Sequence, residues 1–363
     1  MTIPAPQDRV KLYLRAIDDF FAGAEKLVTN ARQQQMRKAR QWPSYTFLPV
    51  GTWERIGEQT FQIDPMWLYE FLNPLAALGA WRYTKGIYVF EPDMYAALMA
   101  KPFEGKPPLD ALTRLPEWCL YIDTPGMKWR EYDLGGVFVF LAWDAATGAT
   151  GLTFVQDVGE TVENEWNARL HFGFNMLLGD WTLRDAIVLS DFHWIADWDT
   201  RYLYKDPNRK LTKADMNLIM PLMISFYAWE PRTKEQAERI IANRLKDGFS
   251  GQTTEDGVRR EYEKERAEGK EKQKEIDAAF NNGMTLLDLA RIMQDKEDTD
   301  DTMNCIGQLM PLILYICSEA PDISSGTPGH YPKNPKPKKI NRQLILEQPE
   351  HPTVWHVGKT IRG

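Results

Sequence analysis

The segment from Leu115 to Gly126, Leu-Pro-Glu-Trp-Cys-Leu-Tyr-Ile-Asp-Thr-Pro-Gly, does most to restrict how this chain can fold. A proline cannot donate to a sheet ladder, so Pro116 and Pro125 mark the two ends of a strand. Between them the side chains alternate. Trp118, Leu120 and Ile122 point to one face, and Cys119, Tyr121 and Asp123 to the other. Both faces stay largely apolar as far as Asp123, which is the pattern of a strand covered on both sides. Just upstream, Leu78-Gly-Ala-Trp-Arg-Tyr-Thr-Lys-Gly-Ile-Tyr88 reads as a helix end, a turn and a second strand entered at Ile87. These two strands are expected at the centre of one sheet.

The 363 residues suffice for one large domain or two ordinary ones. Residues 6–41 read as one long helix. Val10, Leu14, Ile17, Phe21, Ala24, Val28 and Ala31 recur at alternating spacings of four and three, a heptad seam. Such a seam suits packing along the helix's own domain, or against a second copy in a homodimer. Residues 44–64 read as loop, and Asp64-Pro65 as the start of the next helix. Pro92 to Met99 reads as a short helix, and strands are expected at 135–143, 152–155 and 169–178. Apolar helices are expected at 211–229, 284–293 and 305–317. Between Arg232 and Asp277 there are 12 basic and 12 acidic residues, the composition of a solvated helical arm with many i,i+4 pairs. The expected fold is α+β: a central, mostly antiparallel sheet flanked by helices, with a long N-terminal helix and a charged helical arm. The expected division is a recognition domain at 1–323, with the arm inserted at 232–283, and a Pro/Lys-rich tail at 324–363 with short strands.

The net charge of −7 argues against a uniformly basic nucleic-acid sleeve. Three cysteines with no CxxC fit a reducing compartment. No apolar run reaches transmembrane length, and the chain enters an amphipathic helix directly. A cytoplasmic protein without a membrane partner is therefore expected. Asp191, His193, Asp197 and Asp199 form the densest cluster of ligand-type side chains, with Asp191, His193 and Asp197 the candidate metal ligands. His193 and Asp197 at i,i+4 would share a helix face and could hold a metal for phosphodiester hydrolysis. The adjacent Trp194 and Trp198 favour a packed surface there instead. With no GxSxG, phosphate-cradling glycine loop or HExxH, the sequence does not support a self-contained enzyme and implies no cofactor. Trp81, Arg82, Tyr83, Trp118 and Tyr121 are the candidates for gripping a peptide, since aromatic rings and guanidinium groups dominate interface energetics. The same rings would serve equally as core. Lys333, Lys336, Lys338, Lys339 and Arg342 follow one another without an acid between them. They suit either RNA phosphates or a solvated linker.

Four stretches carry a resemblance to a known family. They are Gly79-Ala-Trp-Arg-Tyr-Thr-Lys-Gly-Ile-Tyr88, Leu115-Pro-Glu-Trp-Cys-Leu-Tyr121, Leu309-Met-Pro-Leu-Ile-Leu-Tyr-Ile-Cys-Ser-Glu-Ala-Pro-Asp-Ile323, and Val357-Gly358 with Arg362. In order and content they resemble the anti-CRISPR family that suppresses biogenesis of the type V-A CRISPR effector nuclease. The resemblance implies recognition of the effector's N-terminal nascent peptide during translation, followed by loss of its mRNA. Partners would then include the ribosome or mRNA-decay machinery. Residues 190–283 have no counterpart in that motif pattern. A basic segment rich in His, Arg and Trp, expected beyond the tail motif, is absent.

Overall fold

The computed structural model describes residues 5–10, 22–38, 42–61, 65–129, 132–158, 170–193, 201–227, 237–239, 241–242, 245, 254–294 and 296–360. The chain divides into two compact units, Met1–Ser190 with Lys296–Gly363, and Asp191–Asp295.

In the first unit, helix α1 spans Ala22–Lys38 and α2 spans Val50–Phe61. The expected long N-terminal helix is helical at 6–10 and 22–38; Leu14, Ile17 and Phe21 lie outside the described residues. The expectation of a loop at 44–64 is corrected by α2. Gly51 and Gly57 weaken its intrinsic helix propensity, but tertiary packing overrides propensity. Trp53 lies so close to Gly79 of the next helix that a Cβ there would meet the indole at 2.5 Å.

Helix α3 (Pro65–Trp81) leads through a tight turn into β1 (Gly86–Phe90), followed by α4 (Pro92–Met99) and β2 (Cys119–Asp123). A minor hairpin, β3 (Lys128–Trp129) and β4 (Tyr132–Asp133), precedes the long meander β5 (Gly136–Trp143), β6 (Thr150–Asp157) and β7 (Leu170–Leu178). Helix α5 (Leu183–His193) closes this half, and the Thr182 hydroxyl accepts from the Asp185 N–H at 3.2 Å as its cap.

The second unit contains α6 (Lys213–Tyr227), α7 (Glu255–Asn281) and α8 (Leu286–Met293). Thr285 and Asp288 cap α8 reciprocally. The charged arm is not solvated all round. Val258, Tyr262 and Ile276 of α7 are buried, and Ile241 joins the first two in a small apolar cluster.

The chain re-enters the first unit with α9 (Lys296–Ile316). It ends with β8 (Ile323–Ser324), the hairpin β9 (Lys338–Ile340) and β10 (Gln343–Ile345), and β11 (Thr353–Val357).

Seven strands form the main sheet in the order β7-β6-β5-β2-β1-β11-β8. The β2–β1 and β1–β11 pairs are parallel, and the other four are antiparallel. The fold is thus a mixed α/β architecture around a mostly antiparallel sheet, with β1 and β2 adjacent in its interior. Leu120 and Ile122 turn to a core shared with Val137, Val139, Leu152 and Phe154, covered by Ile306, Leu309, Leu312 and Ile313 of α9. The opposite face meets α3, where Trp81 packs edge-on against Phe138 with centroids 5.4 Å apart. The tail expected as a separate segment from residue 324 instead places β11 inside this sheet, in register from Gly86↔Thr353 to Phe90↔Val357.

Candidate functional site

The α3–β1 turn fixes the first group of candidate residues. The Trp81 carbonyl accepts from the N–H of Thr84 at 2.9 Å and of Lys85 at 2.7 Å, and Lys85 takes a left-handed φ of 51°. The Trp81 indole N–H reaches forward to the Gly86 carbonyl at 2.9 Å. That leaves Arg82 and Tyr83 pointing away from the sheet. Arg82 pairs with Glu25 of α1, its guanidinium 5.7 Å from the Tyr83 ring centre. Tyr83 packs on Phe47 at 5.0 Å, and Phe47 on Trp118 at 5.1 Å. Trp118 enters β2 tethered at both ends. Its backbone N–H donates to Asn334 Oδ1 at 2.6 Å and its indole N–H to the Ser44 carbonyl at 3.2 Å.

Arg32 of α1 completes this cluster. Its guanidinium lies 4.7 Å from the Trp118 ring centre and 5.1 Å from that of Phe47, and it donates to the Phe47 carbonyl at 2.5 Å. Burial pushes the Arg32 pKa down to about 10, which leaves it charged at neutral pH. A desolvated cation over two rings is worth roughly 2 kcal/mol or more.

Tyr121 belongs to a second node, on the side of β2 where Phe138 also meets Trp81, with the Tyr121 and Phe138 ring centres 4.9 Å apart. Its hydroxyl donates to Asp157 Oδ2 at 2.7 Å. Arg9 donates to Asp123 Oδ1 and to the Gly135 carbonyl, each at 2.5 Å, and lies 3.5 Å from Asp157.

Trp81, Arg82, Tyr83, Trp118 and Tyr121 are all buried, none more than 6% exposed. The expectation that they present an open peptide-gripping surface is therefore corrected. They form a buried backing, the core role that the same residue types serve as readily as an interface.

Arg32 and Phe47 tie Tyr83 and Trp118 to α1 and to Trp53 of α2, and the same two helices bound a cleft. Glu25, Val28 and Arg32, at i, i+3 and i+7, turn one flank of α1 to the body of the unit. Leu27, Asn30, Ala31, Gln34 and Gln35, at i, i+3, i+4, i+7 and i+8, turn a neighbouring flank toward α2. Thr52, Arg55, Ile56 and Gln59 repeat that spacing on α2, and Trp42 joins the lining. The enclosed space is about 460 Å³, within the usual range for ligand clefts. Arg55 is the one ionisable residue among the described residues of the lining. Among the described residues its side chain contacts only the Thr52 hydroxyl, at 3.3 Å.

The basic tail folds as an exposed hairpin. Asn341 and Arg342 both take left-handed φ values, 48° and 66°, as a two-residue β-turn requires. Lys333, Lys336, Lys338, Lys339 and Arg342 are all exposed, and Lys338 pairs with Glu347. Asp191 and His193 fall in the last turn of α5, but their side chains and all of Asp197 lie outside the described residues. Among the described residues, no group of three or more His, Cys, Asp or Glu is placed to hold a metal. No helix among them is long and apolar enough to cross a membrane.

Sequence reasoning missed Arg32 and the cleft, because amides at helical spacing look like any solvated flank. It also missed Glu117, which is 3% exposed, with Oε2 left without a hydrogen-bond partner. Burial pushes its carboxyl up to about 8, against partial opposition from Tyr88 and Trp355.

A family model described as AcrVA2-like, anti-CRISPR type V subtype A2 family, matches residues 88–229 and 223–362. The stretch at 190–283 that the motif pattern left out thus falls within the match. The crystal structure of AcrVA2 is similar in fold, with a TM-score of 0.51 at 14% identity over 97% of this chain and 84% of that one. No curated protein matches the chain.

Proposed function

Because the chain belongs to the AcrVA2-like family of type V subtype A2 anti-CRISPR proteins, we propose that it suppresses a type V-A effector by gripping the effector's N-terminal peptide during translation, which triggers loss of the mRNA. The observation that carries this reading is the cleft between α1 and α2, set on a buried Arg–aromatic backing. It is a preformed, hydrogen-bonding groove of the kind that takes short chain segments. Arg82, Tyr83 and Trp118 contribute by holding α1 through Glu25, Phe47 and Arg32, while Trp81 and Tyr121 brace the sheet through Phe138. Lys333, Lys336, Lys339 and Arg342, exposed on and beside the β9–β10 hairpin, are the natural contact for RNA phosphates of the message or ribosome. In this reading the protein binds and recruits, and the bond-breaking belongs to cellular decay enzymes.

The test separates peptide from RNA. The first codons of a type V-A effector are fused to a reporter, with a frame-shifted copy that keeps nearly the same RNA but encodes another peptide. Co-expression of the full chain should lower the in-frame message and spare the shifted one. Equal loss of both, or loss of neither, overturns the proposal.

A further inference from the structure

The cleft between α1 and α2 has walls of one character. The side chains of Asn30, Gln34 and Gln59 reach it, and none of these side chains makes a hydrogen bond among the described residues. Amide side chains offer a donor and an acceptor each, which matches the alternating N–H and C=O groups of an extended peptide. A nucleic acid would call for several cations along its phosphates, and the lining holds one. A lipid chain would call for apolar walls, and here Leu27, Ala31, Trp42 and Ile56 are outnumbered by polar side chains among the described lining residues.

The charge selects further. Arg55 has no carboxylate partner among the described residues, and it sits midway along α2, exposed to solvent. Among the described residues no acid lines the cleft to oppose an incoming anion. The lined stretch of each helix covers about 10–12 Å at 1.5 Å per residue. An extended peptide at about 3.3 Å per residue fills that with roughly three residues.

We propose that this cleft binds an extended peptide of about three residues, with an Asp or Glu carboxylate held by Arg55 and the backbone read by the surrounding amides. It rests on the reading above that the protein grips the effector chain, and it names where and by which chemistry.

Fluorescein-labelled hexapeptides tiling the N-terminal region of a type V-A effector test it by anisotropy with the full chain. Each acidic member is paired with its Asn or Gln copy, alongside a random acidic hexapeptide pool. Acidic members should bind about tenfold more tightly than their amide copies, as expected for one charge-assisted contact. Arg55→Glu, at an exposed site, should erase that preference. Ala31→Trp should fill the cleft and abolish binding, with far-ultraviolet circular dichroism confirming that the variant folds. Effector peptides that bind equally well to both variants overturn the cleft and leave the functional reading standing. Binding of the acidic pool alone, sensitive to both variants, keeps the cleft and overturns the effector as target. No binding by any peptide overturns both, and a uridine oligonucleotide displaced by Ala31→Trp overturns the peptide as occupant.

Discussion

Replacing Glu117 by glutamine should stabilise this protein, and by an amount that grows with pH. Glu117 lies 3% exposed at the entry to β2, pressed so closely on Gly86 that a Cβ there would meet Oε2 at 2.0 Å. Tyr88 and Trp355 neighbour the carboxyl but do not compensate for its lost water. Burial is the dominant influence and pushes the carboxyl from 4.5 to about 8. The folded chain therefore keeps this proton up to about pH 8, whereas the unfolded chain releases it near 4.5. Between those values unfolding releases a proton, so rising pH favours the unfolded state. The linked loss is about 1.4 kcal/mol per pH unit, approaching a ceiling of about 5 kcal/mol above pH 8. Glutamine keeps the shape and cannot ionise. Urea unfolding of wild type and Glu117→Gln should give similar midpoints at pH 5 and a variant advantage of several kcal/mol at pH 8.5. An advantage that stays constant across this range, or a variant less stable at pH 8.5, would refute the reasoning.

Two further substitutions probe the frame. Arg32→Ala removes the cation over Phe47 and Trp118 and strands the Phe47 carbonyl, at a cost of about 2–4 kcal/mol in urea unfolding. Arg32→Lys, which lacks the flat guanidinium, should recover less than half of that. Gly358 has φ 85°, and a Cβ there would meet Met94 Sδ at 2.2 Å. Gly358→Ala should cost about 2–3 kcal/mol, and adding Met94→Ala should leave the backbone share of about 1–2 kcal/mol, read as the double-mutant residue in thermal melts.

The sheet's centre was legible because proline and alternation are strictly local signals. Pro116 and the run from Cys119 to Asp123 placed β2, and Pro92 at the first helical position placed α4. Helix α2 was not legible, since Gly51 and Gly57 hide it until Trp53 is seen against Gly79. The site was legible only in its backing. Trp81 and Trp118 stand out in the sequence, yet nothing local reveals that Arg32 and Phe47 pack on Trp118 and Phe138 on Trp81. The cleft depends on two ordinary polar helix flanks meeting across a gap, and that is a property of distance in space. The fate of Glu117 depends on Trp355, which arrives from the far end of the chain.

That late arrival of β11 sets a timetable for the molecule. Residues 353–357 occupy a slot beside β1 that opens when residues 86–90 are made, with some 260 residues synthesised in between. Closing so long a loop adds little entropy cost beyond that of a shorter one, but such non-local pairing is slow. A newborn chain of this protein therefore holds β1 paired with β2 on one edge and open on the other until residues 353–357 have been made.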